Sequence, residues 1–171
     1  SHGDALVVPV SDGSELHSLP SISSDGKKKF LPDGRVKGHY FLIGEPDGTL
    51  CVAEGFATGA TVHEATGHAV VVAFNAGNLL PVAKAVRKKY PEGRLIVCAD
   101  DDAKSGNPGL TKAREAAQAV GAMVAVPDFG DARPKGTTDF NDLLIHAGAD
   151  AVRASIQADA QTIEGDSSPV C

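Results

Sequence analysis

The chain is short of the residues that staple or anchor unusual folds. Its 171 residues include three cysteines, one methionine and no tryptophan, and aromatic residues make up only 5%. Three cysteines without C-x-x-C spacing offer neither a disulfide framework nor a thiolate metal site, and fit free thiols in a reducing cytoplasm. No apolar run approaches the roughly 20 residues that a membrane-spanning helix needs, and no signal peptide opens the sequence. Positive charge is scarce too. With 16 Lys and Arg against 22 Asp and Glu, the net charge is −6. That excludes a broadly basic nucleic-acid surface, so any such contact must come from a local patch. What is present, 42% hydrophobic and 22% charged residues, is ordinary for a soluble globular protein. The length suits one domain, or one domain with a small appendage, and buries a real core.

The most informative stretch is Leu95 to Asp102, LIVCADDD. A short, uniformly apolar run bounded by polar residues suits a strand buried on both faces, as in a parallel sheet. Ligands of open α/β sheets sit at the C-terminal ends of such strands. Two carboxylates ~4 Å apart repel by roughly 4 kcal/mol at an effective dielectric of 20, a cost that a bound cation removes. Alternation along an extended chain sends Asp100 and Asp102 to one side and Asp101 to the other, which makes Asp100 and Asp102 the candidate ligand pair. The competing reading is a polar strand exit or a helix cap.

Before residue 50, turn signals recur at Ser11-Asp12-Gly13, Ser24-Asp25-Gly26, Pro32-Asp33-Gly34 and Pro46-Asp47-Gly48. The short apolar runs between them, including Leu6 to Val10, Lys29 to Leu31 and Tyr40 to Ile43, predict a small antiparallel β region over residues 1–49. This region concentrates Lys27, Lys28, Lys29, Arg35 and Lys37, with Phe30 and His39 interleaved. The cluster is either a phosphate-facing patch or a solvated hairpin tip. From Leu50 the pattern changes to strands alternating with helices. Strands are predicted at Leu50 to Ala53, Ala69 to Phe74, Leu95 to Ala99 and Met123 to Val126. Helices are predicted over 58–65, from the N-cap Asn78 to the stop at Pro91, and from about Leu110 to Gly121. The fold class is therefore α/β, with a four-stranded parallel sheet and helices on both faces. Residues 50–157 form this unit, ending in a short helix after Asp139 and another over 150–157. The tail from Asp159 reads as disordered or as a linker in a longer protein.

A parallel sheet brings its strand C-termini to one edge, so Glu54 joins Asp100 and Asp102 as a candidate. Three hard oxygen ligands suit Mg²⁺ or Mn²⁺ better than zinc. The turn Glu54-Gly55-Phe56-Ala57-Thr58-Gly59 lacks G-x-G-x-x-G, which disfavours a dinucleotide site, and lacks Gly-Lys-Ser/Thr, which excludes a P-loop.

A strand ending in Glu54-Gly55, followed in the same sheet by one ending in Asp100-Asp101-Asp102, resembles the Toprim domain of bacterial-type primases, topoisomerases and OLD-family nucleases. The segments CVAEGFATGATVHEATG, VVVAFNAGNL, LIVCADDDAKSGNPGLTKAREAA and TTDFNDLL further resemble primases of plasmids, phages and integrative elements. DGKKKFLPDGRVKGHYFLIG resembles the segment that precedes Toprim in those proteins. The resemblance covers about residues 5–157. It implies a catalytic core that makes short primers on single-stranded DNA from nucleoside triphosphates, a DNA-directed RNA polymerase type of activity, with a helicase domain or other replication partner and no membrane. Asp100 and Asp102 would hold the divalent ion, and Glu54 would complete its shell or act as general base. Lys27, Lys28, Lys29, Arg35, Lys37 and Lys104 would contact template or nucleotide phosphates. The resemblance also implies a second metal position at Asp139, which is equally placed to be an N-cap with Asp142 three residues on; Asn141 departs from the acidic pattern. Two alternatives stay open: a metal-dependent nuclease using the same acids, and a non-catalytic nucleic-acid-binding module in which they cap helices. A topoisomerase would need a tyrosine nucleophile, and the available tyrosines, Tyr40 and Tyr90, fall in a predicted strand and at a helix end.

Overall fold

The computed structural model describes residues 38–165 and, before them, five short strands. Those strands are β1 (Leu6–Val7), β2 (Val10–Ser11), β3 (Leu16–Ser18), β4 (Ser21–Ile22) and β5 (Lys28–Lys29). Their pairings, β1 with β4, β4 with β5 and β2 with β3, are all antiparallel, as the turn spacing predicts. Lys27, Phe30, Arg35 and Lys37 lie outside the described residues. Lys28 and Lys29 are described only as strand backbone.

The main sheet contains β6 (Phe41–Ile43), β7 (Thr49–Ala53), β8 (Ala69–Val72), β9 (Arg94–Cys98) and β10 (Met123–Ala125), in the order β10-β9-β7-β8-β6. Four strands run parallel, and β6 pairs antiparallel with β8, Phe41 opposite Val72. The sheet thus has a fifth strand beyond the four read from the sequence. Residues 41–43, read as part of the N-terminal β region, close the edge that β8 would otherwise expose.

Helices α1 (Phe56–Thr66), α2 (Leu79–Lys89), α3 (Pro108–Val120), α4 (Phe140–Ala147) and α5 (Ala149–Gly165) cover the two faces. The period of two along the strands decides which face each residue serves. Leu50, Val52, Leu95 and Val97 pack with Val82, Val86, Ala113 and Ala117 of α2 and α3. Cys51, Ala53, Ile96 and Cys98 pack with Val62, Phe140, Leu143, Val152 and Ile156 of α1, α4 and α5. Cys51 and Cys98 are buried on the same face. Among the described residues, no helix is long and apolar enough to cross a membrane.

The structure corrects two local expectations. Asn78 precedes α2 but makes no side-chain cap, because its amide is committed elsewhere. Its Oδ1 accepts from Gly38 N at 2.7 Å, and its Nδ2 donates to His39 O at 3.0 Å and Ala73 O at 2.9 Å. Asn78 thereby ties the entry to β6 onto the exit of β8. Asn75 caps the 3₁₀ turn Ala76–Asn78 that leads into α2, accepting from Asn78 N at 2.9 Å. Further on, α5 continues to Gly165, past the expected end at Gln157, through a segment containing the helix formers Ala158, Ala160 and Gln161. Gly121 does end α3 in the left-handed conformation, with φ 64°.

Arg87 gathers the ends of the two helices on one face. It donates from Nε to Val120 O at 2.9 Å, from Nη1 to Gly93 O at 2.6 Å, and more weakly to Pro91 O and Gly121 O. These carbonyls lie at or beyond helix C-termini, where helical partners are lacking. Arg87→Ala is expected to cost about 2 kcal/mol, the range of charged hydrogen bonds, and to lower the melting temperature by about 4–8 °C for a chain this size. A thermal melt that moved by less than a degree would show that these contacts carry no stability.

Candidate active site

Register brings the acids together. β7 lies beside β9 in parallel, with Ala53 opposite Cys98, so Glu54 and Asp100 leave the same edge of the sheet. The exits are held past the strand ends, with Ala73 N bonded to Ala53 O and Ala99 N to Ala125 O, both at 2.8 Å. The first turn of α3 stands beside both acids. A Cβ on Gly109 would lie 3.3 Å from Asp100 Cβ, 3.5 Å from Asp100 O and 3.8 Å from Glu54 Oε2. A helix N-terminus favours negative charge here, through its unsatisfied N–H groups and its dipole. A side chain here would be tight against Asp100, so the glycine eases the close approach of the helix. Gly109→Val is expected to displace Glu54 and Asp100 and lower metal-dependent activity by about 100-fold, the cost of a ~1 Å misplacement. Wild-type turnover in that variant would mean that the spacing of the two acids is irrelevant.

Asp101 points elsewhere, as the alternation predicts. Its Oδ1 accepts from Asn107 Nδ2 at 2.6 Å, and its Oδ2 pairs with Arg133 Nη1 at 2.7 Å. Burial would raise its pKa, but the Asn107 hydrogen bond and the hydrogen-bonded Arg133 charge outweigh it and hold Asp101 below the usual carboxylate value.

Asp102 follows Asp100 past the end of the strand. β9 ends at Cys98, four residues before it. Asp102 lines a neighbouring cleft of about 290 Å³ with Lys104, Arg133, Lys135, Thr137 and Thr138. Lys104 is exposed there, in the 3₁₀ turn Ala103–Ser105.

Asp139 and Asp142 form a complete capping box on α4. Asp142 N donates to Asp139 Oδ1 at 2.8 Å, and Asp142 Oδ2 accepts from Thr138 N at 2.7 Å and Asp139 N at 3.3 Å. Burial pushes the Asp139 pKa up; hydrogen bonds from the Asp142 and Asn141 amides oppose this, while the Asp142 charge adds to it. Asn141 accepts from Thr61 Oγ1 at 3.2 Å, joining α4 to α1.

Among the described residues, no three His, Cys, Asp or Glu side chains cluster as a complete protein cage for a metal. The donor set still fits a hard cation, since Mg²⁺ commonly takes one or two carboxylates and completes its shell with substrate phosphates. Glu54 and Asp100 provide such a pair. Sequence reading missed Arg133, Asn107 and Gly109. Asn107-Pro108-Gly109 carried a turn signal, whereas nothing local marks Arg133 as a partner of Asp101.

Comparison with known proteins gives the same picture. Residues 49–150 match the family described as Toprim domain. Two Escherichia coli proteins named DNA primase TraC are 39% and 38% identical, over 74% and 76% of this chain. The chain spans only 13% and 10% of their lengths. Among solved structures, a chain of the bacteriophage T7 lagging-strand DNA polymerase assembly with primase domains of two gp4 subunits, bound to an RNA/DNA hybrid and dTTP, superposes with a TM-score of 0.60. It is 18% identical, over 90% of this chain and 76% of that one. The RNA polymerase domain of Mycobacterium tuberculosis primase DnaG gives a TM-score of 0.57 at 19% identity, over 90% of this chain and 54% of that one. The likeness to these structures is one of fold. From the match over residues 49–150 and the acids at one sheet edge, the chain belongs to the Toprim domain family.

Proposed function

We propose that the chain is the catalytic core of a DNA primase, joining nucleoside triphosphates into short primers on single-stranded DNA. The observation that carries this reading is the meeting of Glu54 and Asp100 beside Gly109 at the ends of adjacent parallel strands; the 39% and 38% identity to proteins named DNA primase supports it. Glu54 and Asp100 would hold Mg²⁺ or Mn²⁺, with Asp102 reaching the same substrate from the cleft. When bound, the ion neutralises charge on the transferring phosphoryl group and orients it. The protein's share is positioning. Glu54 either completes the oxygen shell or accepts the proton of the attacking 3′-hydroxyl, and Lys104 offers a cation to phosphates beside Asp102. Asp139 serves α4 as its cap through Oδ1, and a ligand role there would fall to its other carboxylate oxygen.

In this reading, residues 1–49 supply the template contact, through Lys27, Lys28, Lys29, Arg35 and Lys37, and residues 50–157 supply the chemistry. A helicase domain or replication partner delivers the single strand, in the cytoplasm. Neutralising Z phosphates of single-stranded DNA gives a salt slope of roughly −0.7Z. Three engaged cations would give about −2, and replacing Lys27, Lys28 and Lys29 together with alanine is expected to flatten it. An unchanged slope would move the template contact elsewhere.

The function itself is tested by incubation with single-stranded DNA, ribonucleotides and Mg²⁺ or Mn²⁺. A primase yields new strands complementary to the template. Shortened DNA would identify a nuclease, and neither change would indicate a binding module.

A further inference from the structure

Every polar group of Asp101 is held by a protein partner. Its N–H donates to Thr138 O at 2.6 Å, and its carbonyl accepts from Arg133 Nη2 at 2.5 Å. Its two carboxylate oxygens take Asn107 and Arg133. Arg133 is equally committed: Nη2 also donates to Thr137 O at 2.6 Å, and the guanidinium lies 4.8 Å from the centre of the Phe129 ring. Asn107, in the left-handed region at φ 58°, closes the turn by accepting from Asp102 N at 3.0 Å. The middle acid of the triplet is thus pinned on all sides, and the residues flanking it are the candidate ligands.

We propose that Asp101 and Arg133 are positioning residues: their pairing ties the acidic turn to segment 131–138 and fixes where Asp100 and Asp102 present their carboxylates. The inference rests on the metal-site reading above. Its physical basis is twofold. A guanidinium forms two parallel bonds in a fixed plane, here one to the Asp101 side chain and one to its backbone, so it sets orientation as well as charge. It also offsets one of three adjacent negative charges, leaving Asp100 for the cation and Asp102 for the cleft. The same side chain forms part of the cleft wall beside Asp102, so the acids and the cleft are set by one contact.

The test uses Arg133→Lys, Arg133→Gln, Asp101→Asn and the double variant Asp101→Asn/Arg133→Gln. Mn²⁺ binding is measured by electron paramagnetic resonance with a nucleoside triphosphate present, alongside the Mn²⁺ half-saturation of strand synthesis and the metal-free melting temperature. Positioning predicts that Arg133→Lys, which keeps the charge and loses the fork, weakens Mn²⁺ binding by about tenfold, as residues that orient metal ligands commonly do. Half-saturation should shift in parallel, and turnover at saturating Mn²⁺ should recover most of its value. The double variant, with an amide facing an amide, should bind Mn²⁺ better than Asp101→Asn alone. Folded Arg133→Lys and Asp101→Asn proteins that bind Mn²⁺ within twofold of wild type would overturn the proposal, whatever their melting temperatures; so would full rescue by lysine, which would reduce Arg133 to a charge. A wild-type protein that binds no Mn²⁺ would remove the metal-site reading and this inference with it, a result distinct from wild-type binding that the variants leave unchanged.

Discussion

Asp100→Asn is expected to lower metal-dependent strand synthesis by at least about 100–1,000-fold, the loss typical when a single electrostatic stabiliser of the transition state is removed. The same substitution should leave the metal-free protein as stable as wild type, or more so. Glu54 and Asp100 flank one glycine at the sheet edge, and like charges at such a site repel when no cation is present. Neutralising one relieves that repulsion while preserving side-chain shape. Asp102→Asn should likewise abolish synthesis without loss of stability, although from its place in the cleft its effect should fall on nucleotide use as well as on metal. Activity assays paired with metal-free melts check both. A clear drop in melting temperature for either variant would identify its carboxylate as structural.

The second large effect concerns Phe140. It is fully buried at the start of α4 and belongs to the core shared with Phe129, Leu143, Val152 and Ala125. Phe140→Ala removes a ring from a packed interior and leaves a cavity that the surrounding helices only partly fill, at a cost of about 3–5 kcal/mol. For a chain this size, that is a melting-temperature loss of about 6–20 °C. Because Asp139 and Asp142 cap α4 at this point, the same variant should loosen segment 131–138 and the cleft beside it. A loss below about 1 kcal/mol would mean that α4 contributes little to the core.

Much of this was legible in the sequence because parallel strands buried on both faces have a distinctive composition. LCVA, AVVV and LIVC announce themselves, and the turn after each places its polar residues on the ligand edge. The convergence of Glu54 with Asp100 followed from that rule alone. Other features depended on partners distant in sequence. Phe41–Ile43 joined the sheet as an antiparallel edge strand, a pairing that three residues cannot specify by themselves. Asn78 looked like a helix cap because caps are local, but its amide was taken by Gly38, His39 and Ala73. Arg133 had no signal, since its bond to Asp101 spans 32 positions.

In the proposed primase, Glu54 and Asp100 form part of a metal site that substrate phosphates complete. The most direct measurement is the Mn²⁺ affinity of the protein with and without a nucleoside triphosphate. Weak binding alone that tightens at least about tenfold with nucleotide, and is lost in Asp100→Asn, is the expected result for a site built from one or two carboxylates and a phosphate. Tight binding that is indifferent to nucleotide, or binding that survives Asp100→Asn unchanged, would contradict it.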